Sequence, residues 1–393
     1  MNANPLWLAV QRAVPLALLL ILSGCGGGNN SSSGCGVNCP PVNAEVLYVG
    51  SAGQIQIFSI NTATGALGSA TTLSGLTTAG SGTATPSAKF LYVADFQNNQ
   101  IDGYSINATS GALTTLAGSP FPLGAIPNSA GSLAIDPGGK FLYATDLHGF
   151  NVLAFAINSS DGSLTPVPGS PFPSGFDPAG AVVDPSTKFL NVADVGVGSF
   201  GGISSYTINS ANGALTAGAG GPLVVLLNGG VTDIAMHSSG KFLHVSTGIS
   251  PTDSGVAAFT VNQTTGGLTQ NGSVPFPTGL APMRITLHSG GKFLYTANSG
   301  DGTISGFTID AASGNLMPVS GSPFRIFATP PPGGLIAFDV AIDPSGQFLY
   351  AANPTASSVS GFRIDASTGS LSVVGQTSLT AHGSASFTMV KLP

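Results

Sequence analysis

A pair of motifs recurs seven times along this chain at a spacing of about fifty residues, and that repetition constrains the fold more than any other feature. The first motif is an apolar run that begins Lys-Phe-Leu-Tyr or a close variant. Its Phe falls at Phe90, Phe141, Phe189, Phe242, Phe293 and Phe348, and Val46 holds the place in the first copy. The second is Gly-x-Leu after a polar turn, ending at Leu67, Leu113, Leu164, Leu215, Leu268, Leu316 and Leu371. A third, Gly-Ser-Pro-Phe, stands at Gly118–Phe121, Gly169–Phe172 and Gly321–Phe324, with a looser form over Gly272–Phe276.

Each copy reads as four short strands. In the third they are Ser132–Asp136, Phe141–Asp146, Val152–Ile157 and Leu164–Gly169, separated by the turn-rich stretches DPGGK, LHGFN and NSSDGS. β-Branched and aromatic residues fill the strands, and no long stretch shows helical periodicity. Four-stranded units at this period are the mark of propeller blades, so the sequence predicts an all-β, seven-bladed propeller over 44–393. The ends predict how it closes. The first copy starts at its second strand, Glu45–Gly50, and the last is followed by a spare strand, Ala385–Leu392. That strand can serve as the innermost member of the first blade, which also removes two free edges.

Residues 1–24 read as an address. Arg12 precedes an apolar run, Ala13 to Leu22, too short for the roughly 20 residues that span a bilayer. The run ends Leu22-Ser23-Gly24-Cys25, which resembles a bacterial lipobox and implies lipidation of Cys25. Residues 25–43 are Gly/Ser/Asn-rich and read as a tether, with Cys35 and Cys39 inside it. An exported protein lipid-anchored to a bacterial membrane, its propeller on the periplasmic or extracellular side, is the expectation.

Charge is sparse, at 7% of residues, with a net of −6, while apolar residues make up 42%. Such a chain can bury a large core. So few cations argue against nucleic acid. They argue equally against a polybasic membrane-surface contact, so the lipid is the only expected membrane link. There is no Gly-rich phosphate loop, no Gly-x-Ser-x-Gly elbow in a strand–turn–helix context, and no Cys/His set at zinc spacing. Neither cofactor nor metal is expected, and a monomer is.

The strand-end tetrads Tyr92-Val93-Ala94-Asp95, Tyr143-Ala144-Thr145-Asp146, Tyr295-Thr296-Ala297-Asn298 and Tyr350-Ala351-Ala352-Asn353 resemble YVTN-type repeats. Residues 44–393 as a whole are similar to the seven-bladed β-propeller lactonase family, the 6-phosphogluconolactonase-like proteins. The resemblance implies charged and His residues around the channel mouth. The nearest matching stretches are Pro282 to His288 and Pro127-Asn128-Ser129. Met283 stands where the family has Arg, Arg284 where it has His, and the second stretch lacks its His. The implied function is a ligand- or partner-binding propeller with degenerate catalytic motifs; the alternative is an active lactonase acting on an extracytoplasmic lactone or ester.

Aligning the copies on the residue that opens the turn after the innermost strand (Asp136, Asp184, His237, His288, Asp343) gives the candidates. Four residues earlier stand Ser132, Gly180, Asp233, Arg284 and Asp339. An Asp–Arg–Asp row on three successive blades is unusual in a chain so poor in charge. Arg284 could orient an anion, braced by Asp233 and Asp339, one of which could activate water. His148, two residues beyond Asp146 in the turn between the second and third strands, is a further candidate base. His237 and His288 take the Asp place in a tight turn, and a turn role is expected for them.

Overall fold

The computed structural model describes residues 45–393 apart from 52, 77–78, 124–129, 198–199, 219–222, 229, 249–253, 273–274, 327–336 and 381–385; before residue 45 it describes only the pair 19–20. The expected signal, Cys25, the tether with Cys35 and Cys39, and Pro127-Asn128-Ser129 lie outside the described residues.

Seven sheets form a ring, antiparallel except where Leu19–Leu20 runs parallel to Gln54–Ser59 in the first, and there is no helix among the described residues. From blade 2 to blade 7 the innermost strands are Ala79–Ala84, Ala130–Ile135, Pro178–Val183, Val231–Met236, Pro282–Leu287 and Asp339–Ile342. Each packs on the next, and the C-terminal strand Ser386–Lys391 fills the remaining place between blades 7 and 2. It pairs antiparallel with Glu45–Ser51, Lys391 opposite Glu45, so the two ends of the propeller close the ring as the sequence predicts. The third blade's second strand is Phe141–Asp146, as predicted, whereas its innermost strand begins at Ala130 rather than Ser132.

The blades hide their apolar faces on one another. In blades 3 and 5 the large residues of the innermost strand point back and the small ones forward. Leu133 packs into the cluster shared with blade 2, and Ala134 into the cluster shared with blade 4. Ile234 and Ala235 repeat the arrangement two blades on. Alternation with period two delivers this, because successive side chains of a strand face opposite ways.

The two sequence markers meet in space. The tyrosine of one blade's second strand donates its phenol to the carbonyl of the Gly-x-Leu glycine of the next blade: Tyr92 to Gly162 at 2.7 Å, Tyr143 to Gly213 at 3.1 Å, Tyr295 to Gly369 at 2.7 Å. Tyr350 closes the circle on Gly65 at 2.8 Å, 285 residues away in sequence. His244 takes the same place in blade 5, with its Nε2 3.0 Å from the Gly314 carbonyl. The glycine is required: Gly213 has φ +78°, and a Cβ there would overlap the Phe141 ring.

The Gly-Ser-Pro-Phe marker has its own reason. It is the jog that splits the outermost strand of its blade in two, as between Leu113–Thr115 and Phe121–Pro122. At the jog the third strand would lose a partner for one N–H. The marker's serine hydroxyl accepts it instead: Gly103 N–H to Ser119 at 2.9 Å, Ala154 to Ser170 at 3.0 Å, Gly306 to Ser322 at 3.0 Å.

The ring has two faces. The lower carries the turns after the innermost strands and the Gly-x-Leu turns. The upper carries the turns between second and third strands and the connections between blades.

Candidate ligand-binding site

A cavity of about 290 Å³ occupies the channel and is lined by innermost strands from six of the seven blades. Asp233, Arg284 and Asp339 all line it, so the structure brings the expected row together. A bulge directs Asp233 and Arg284 there. In blades 5 and 6 the pairing with the second strand slips by one residue between Val231 and Asp233 and between Pro282 and Arg284. Bulges turn a side chain away from the regular pleat, here toward the channel.

Three members of the row share a bond that the sequence did not disclose. The side chain on one blade accepts the backbone N–H of the next blade's strand, one position further on. Asp233 Oδ2 takes Ile285 N–H at 3.1 Å, and Asp339 Oδ2 takes Phe387 N–H at 2.6 Å. Ser81 Oγ does the same for Leu133 N–H at 3.4 Å. Ser81 and Ser386 therefore belong to the row, with Ser132 and Gly180. Ser386 escaped notice in the sequence because the closing strand carries no turn marker behind it. Ser81 could have been found by the same alignment from Thr85, which opens the turn of blade 2.

Arg284 sits between the two acids. Its Nη1 lies 3.8 Å from Asp233 Oδ1, an ion pair too long to be a hydrogen bond. The Arg284 side chain is 19% exposed and lines the cavity. Burial is the main influence on both acids. It pushes the Asp339 carboxyl up to about 7, although Arg284 and the Phe387 N–H pull the other way. Asp233 is raised as well, by burial first, against the opposing charge of Arg284. Ser81, Ser132, Thr286 and Ser386 add hydroxyls, and Ile285, Phe387 and Met389 add apolar wall. The arrangement can hold an anion on Arg284, and Asp339 can take up or release a proton near neutrality.

The other candidates lie elsewhere. His148 sits in the turn 147–150 on the upper face and does not line the cavity. Its charged neighbour is Asp177, whose carboxyl is raised by burial and partly drawn back by the imidazole. Asp146 accepts the Gly149 N–H at 3.1 Å, a turn-capping bond. His237 and His288 do close their turns, Nδ1 accepting from the Ser239 and Gly290 N–H groups. Each Nε2 also reaches a glycine carbonyl of the following blade, Gly291 at 2.9 Å and Gly346 at 3.1 Å. Among the described residues no group of three or more His, Cys, Asp or Glu could hold a metal ion.

Fold and cavity together define a closed seven-bladed propeller with one charged, hydroxyl-rich opening at its axis. The family model for lactonase, seven-bladed β-propeller, matches residues 43–175, 132–326 and 329–389, and the chain belongs to that family. It is 23% identical over 304 residues to a 6-phosphogluconolactonase of Sodalis glossinidius, covering 73% of this chain and 81% of that one. To a 6-phosphogluconolactonase of Serratia proteamaculans it is 32% identical over 103 residues, 26% of this chain and 30% of the relative's length. Among solved structures, the periplasmic gluconolactonase of Pseudomonas aeruginosa superposes with a TM-score of 0.71 at 19% identity, covering 89% of this chain and all of that one.

Proposed function

We propose that the channel mouth binds a small, hydroxyl-rich carboxylate or the lactone formed from it, on a propeller that is exported and held to a bacterial membrane by lipid on Cys25. The observation that carries this reading is Arg284. It is a half-buried guanidinium whose one ion pair among the described residues is long, set in a cavity ringed by Ser81, Ser132, Thr286 and Ser386. A carboxylate satisfies the guanidinium through two parallel N–H bonds, and the hydroxyls suit a polyol chain. The relatives' names, gluconolactonases, point to the same ligand chemistry.

Lactone opening is the second reading, and Asp339 favours it. With its carboxyl at about 7, it can accept the proton of a water that attacks the lactone carbonyl, while Arg284 steadies the oxygen that gains charge. The bond from the carbonyl carbon to the ring oxygen then breaks, and that oxygen leaves as a hydroxyl by taking the proton back from Asp339. The departures at Met283 and Arg284 and the absent His favour binding alone.

Titrating the protein with a panel of aldonates and aldonolactones tests both. Carboxylate binding should strengthen as pH falls below about 7, where Asp339 becomes neutral and ceases to repel it. Hydrolysis should instead rise through the same pH, because the base must be ionised. Affinity or turnover that Arg284→Ala leaves unchanged sinks both readings. The anchor is tested separately: Cys25→Ser should release the protein from the membrane fraction, and attachment that persists rules the lipid out.

A further inference from the structure

The lysines of this chain are not scattered. Lys89, Lys140, Lys188, Lys241 and Lys292 occupy one repeat position on five successive blades, directly before the second strand, and all five are exposed. Their placement is fixed by a bond common to all. The lysine's own carbonyl accepts the last N–H of the third strand, from Ile106, Ile157, Ile208, Val261 and Ile309 respectively, at 2.7 to 2.9 Å. They therefore form an arc on the lower face. The carboxylates that share the inner part of this face are turned inward: Asp136, Asp184, Asp343 and Glu45 are each at most 3% exposed. Its exposed acids among the described residues, Asp161, Asp310 and Asp365, sit at the outer Gly-x-Leu turns. The acids of the ligand-binding row lie at the other end of the innermost strands.

Where the chain enters the propeller adds a second observation. Glu45 stands at the lysine position of blade 1, and its carbonyl accepts the Ile60 N–H in the same way. The strand that begins at Glu45 therefore starts on the lysine face.

We infer that the lower face is a docking surface for anionic lipid headgroups, which turns the channel mouth away from the membrane. The inference rests on the lipid-anchor reading for its geometry. Nineteen residues separate Cys25 from Glu45, at most about 70 Å of extended chain. A tether that ends at Glu45 attaches on the lysine face, which favours presenting that face to the headgroups. Each lysine near an anionic surface is worth roughly a fivefold gain in occupancy, and salt removes it. Whole-chain totals point away from a polybasic contact; the segregation of the lysines onto one face reverses that reading.

The test reconstitutes the mature lipoprotein into vesicles of phosphatidylcholine alone, and of equal parts phosphatidylcholine and phosphatidylglycerol. Lysine acetylation by a water-soluble reagent is then mapped. Labelling of the five lysines should fall about fivefold on the anionic vesicles and recover at high salt. A variant with all five changed to Gln should float with both vesicle types but lose hydrogen-exchange protection of these turns on the anionic ones. Flotation on both with equal labelling overturns the docking surface and leaves the anchor standing. Flotation on anionic vesicles only, with the lysines protected, supports the surface and sinks the anchor. No flotation on either overturns both.

Discussion

Two rings of residues run round this propeller, and they obey opposite rules. The outer ring, where a second-strand tyrosine meets the next blade's glycine, varies little: Tyr48, Tyr92, Tyr143, Tyr295 and Tyr350 are all fully buried, and His244 and Asn191 hold the other two places. The inner ring, at the channel mouth, runs Ser386, Ser81, Ser132, Gly180, Asp233, Arg284 and Asp339. Three of its members, Ser81, Asp233 and Asp339, share one bond to the next blade, but around the ring the residues at this place differ in chemistry. Positions that stay alike hold a repeat protein together. A position whose chemistry diverges within one molecule is free to serve a ligand.

The comparison breaks hardest at the outer ring. Gly213→Ala forces a Cβ into the Phe141 ring from a left-handed backbone, and should cost about 3 kcal/mol in urea or thermal unfolding. Ligand affinity of the folded fraction should be unchanged. Arg284→Ala is the mirror case. It should weaken aldonate binding about 100-fold while shifting stability little, because Asp233 can take up a proton once its cation is gone. A large loss of stability with intact binding would merge the two rings into one structural network.

Two milder variants sharpen the picture through pH. Glu45, at the seam, is raised to about 8 by burial and by hydrogen bonding and charge from Asp343, with Lys391 opposing. Its folded-state value exceeds the ordinary 4.5, so its contribution is full below pH 4.5 and is lost as pH rises toward 8. Melting curves of Glu45→Gln should lack that decline. His244 moves the other way. Burial holds its imidazole down at about 4, so stability should fall as pH drops from 6.5 to 4. His244→Tyr, which installs the residue used by five other blades, should flatten that acid slope. A slope that survives in either variant removes that residue from the account.

Much of this was legible in the sequence. Seven blades, the second strands and the closing strand all follow from the spacing of Phe and Gly-x-Leu and from one surplus strand. The Asp233–Arg284–Asp339 row followed from alignment on the turn residues. What was not legible is what passes between blades. Nothing in the spacing says that Tyr143 bonds Gly213, since that contact is seventy residues away in sequence and adjacent only once the ring forms. The bulges at the start of the innermost strands were equally hidden; they moved the third blade's strand to begin at Ala130. His148 shows the converse limit: near a carboxylate in sequence, it faces Asp177 on the upper face and takes no part in the cavity.

A crystal structure of the protein saturated with its tightest aldonate tests the central claim most directly. The account predicts a carboxylate on the Arg284 guanidinium, with ligand hydroxyls bonded to Ser132 or Ser386 and Asp339 within reach. A ligand seated on any other part of the propeller, or an empty channel mouth at saturation, would contradict it.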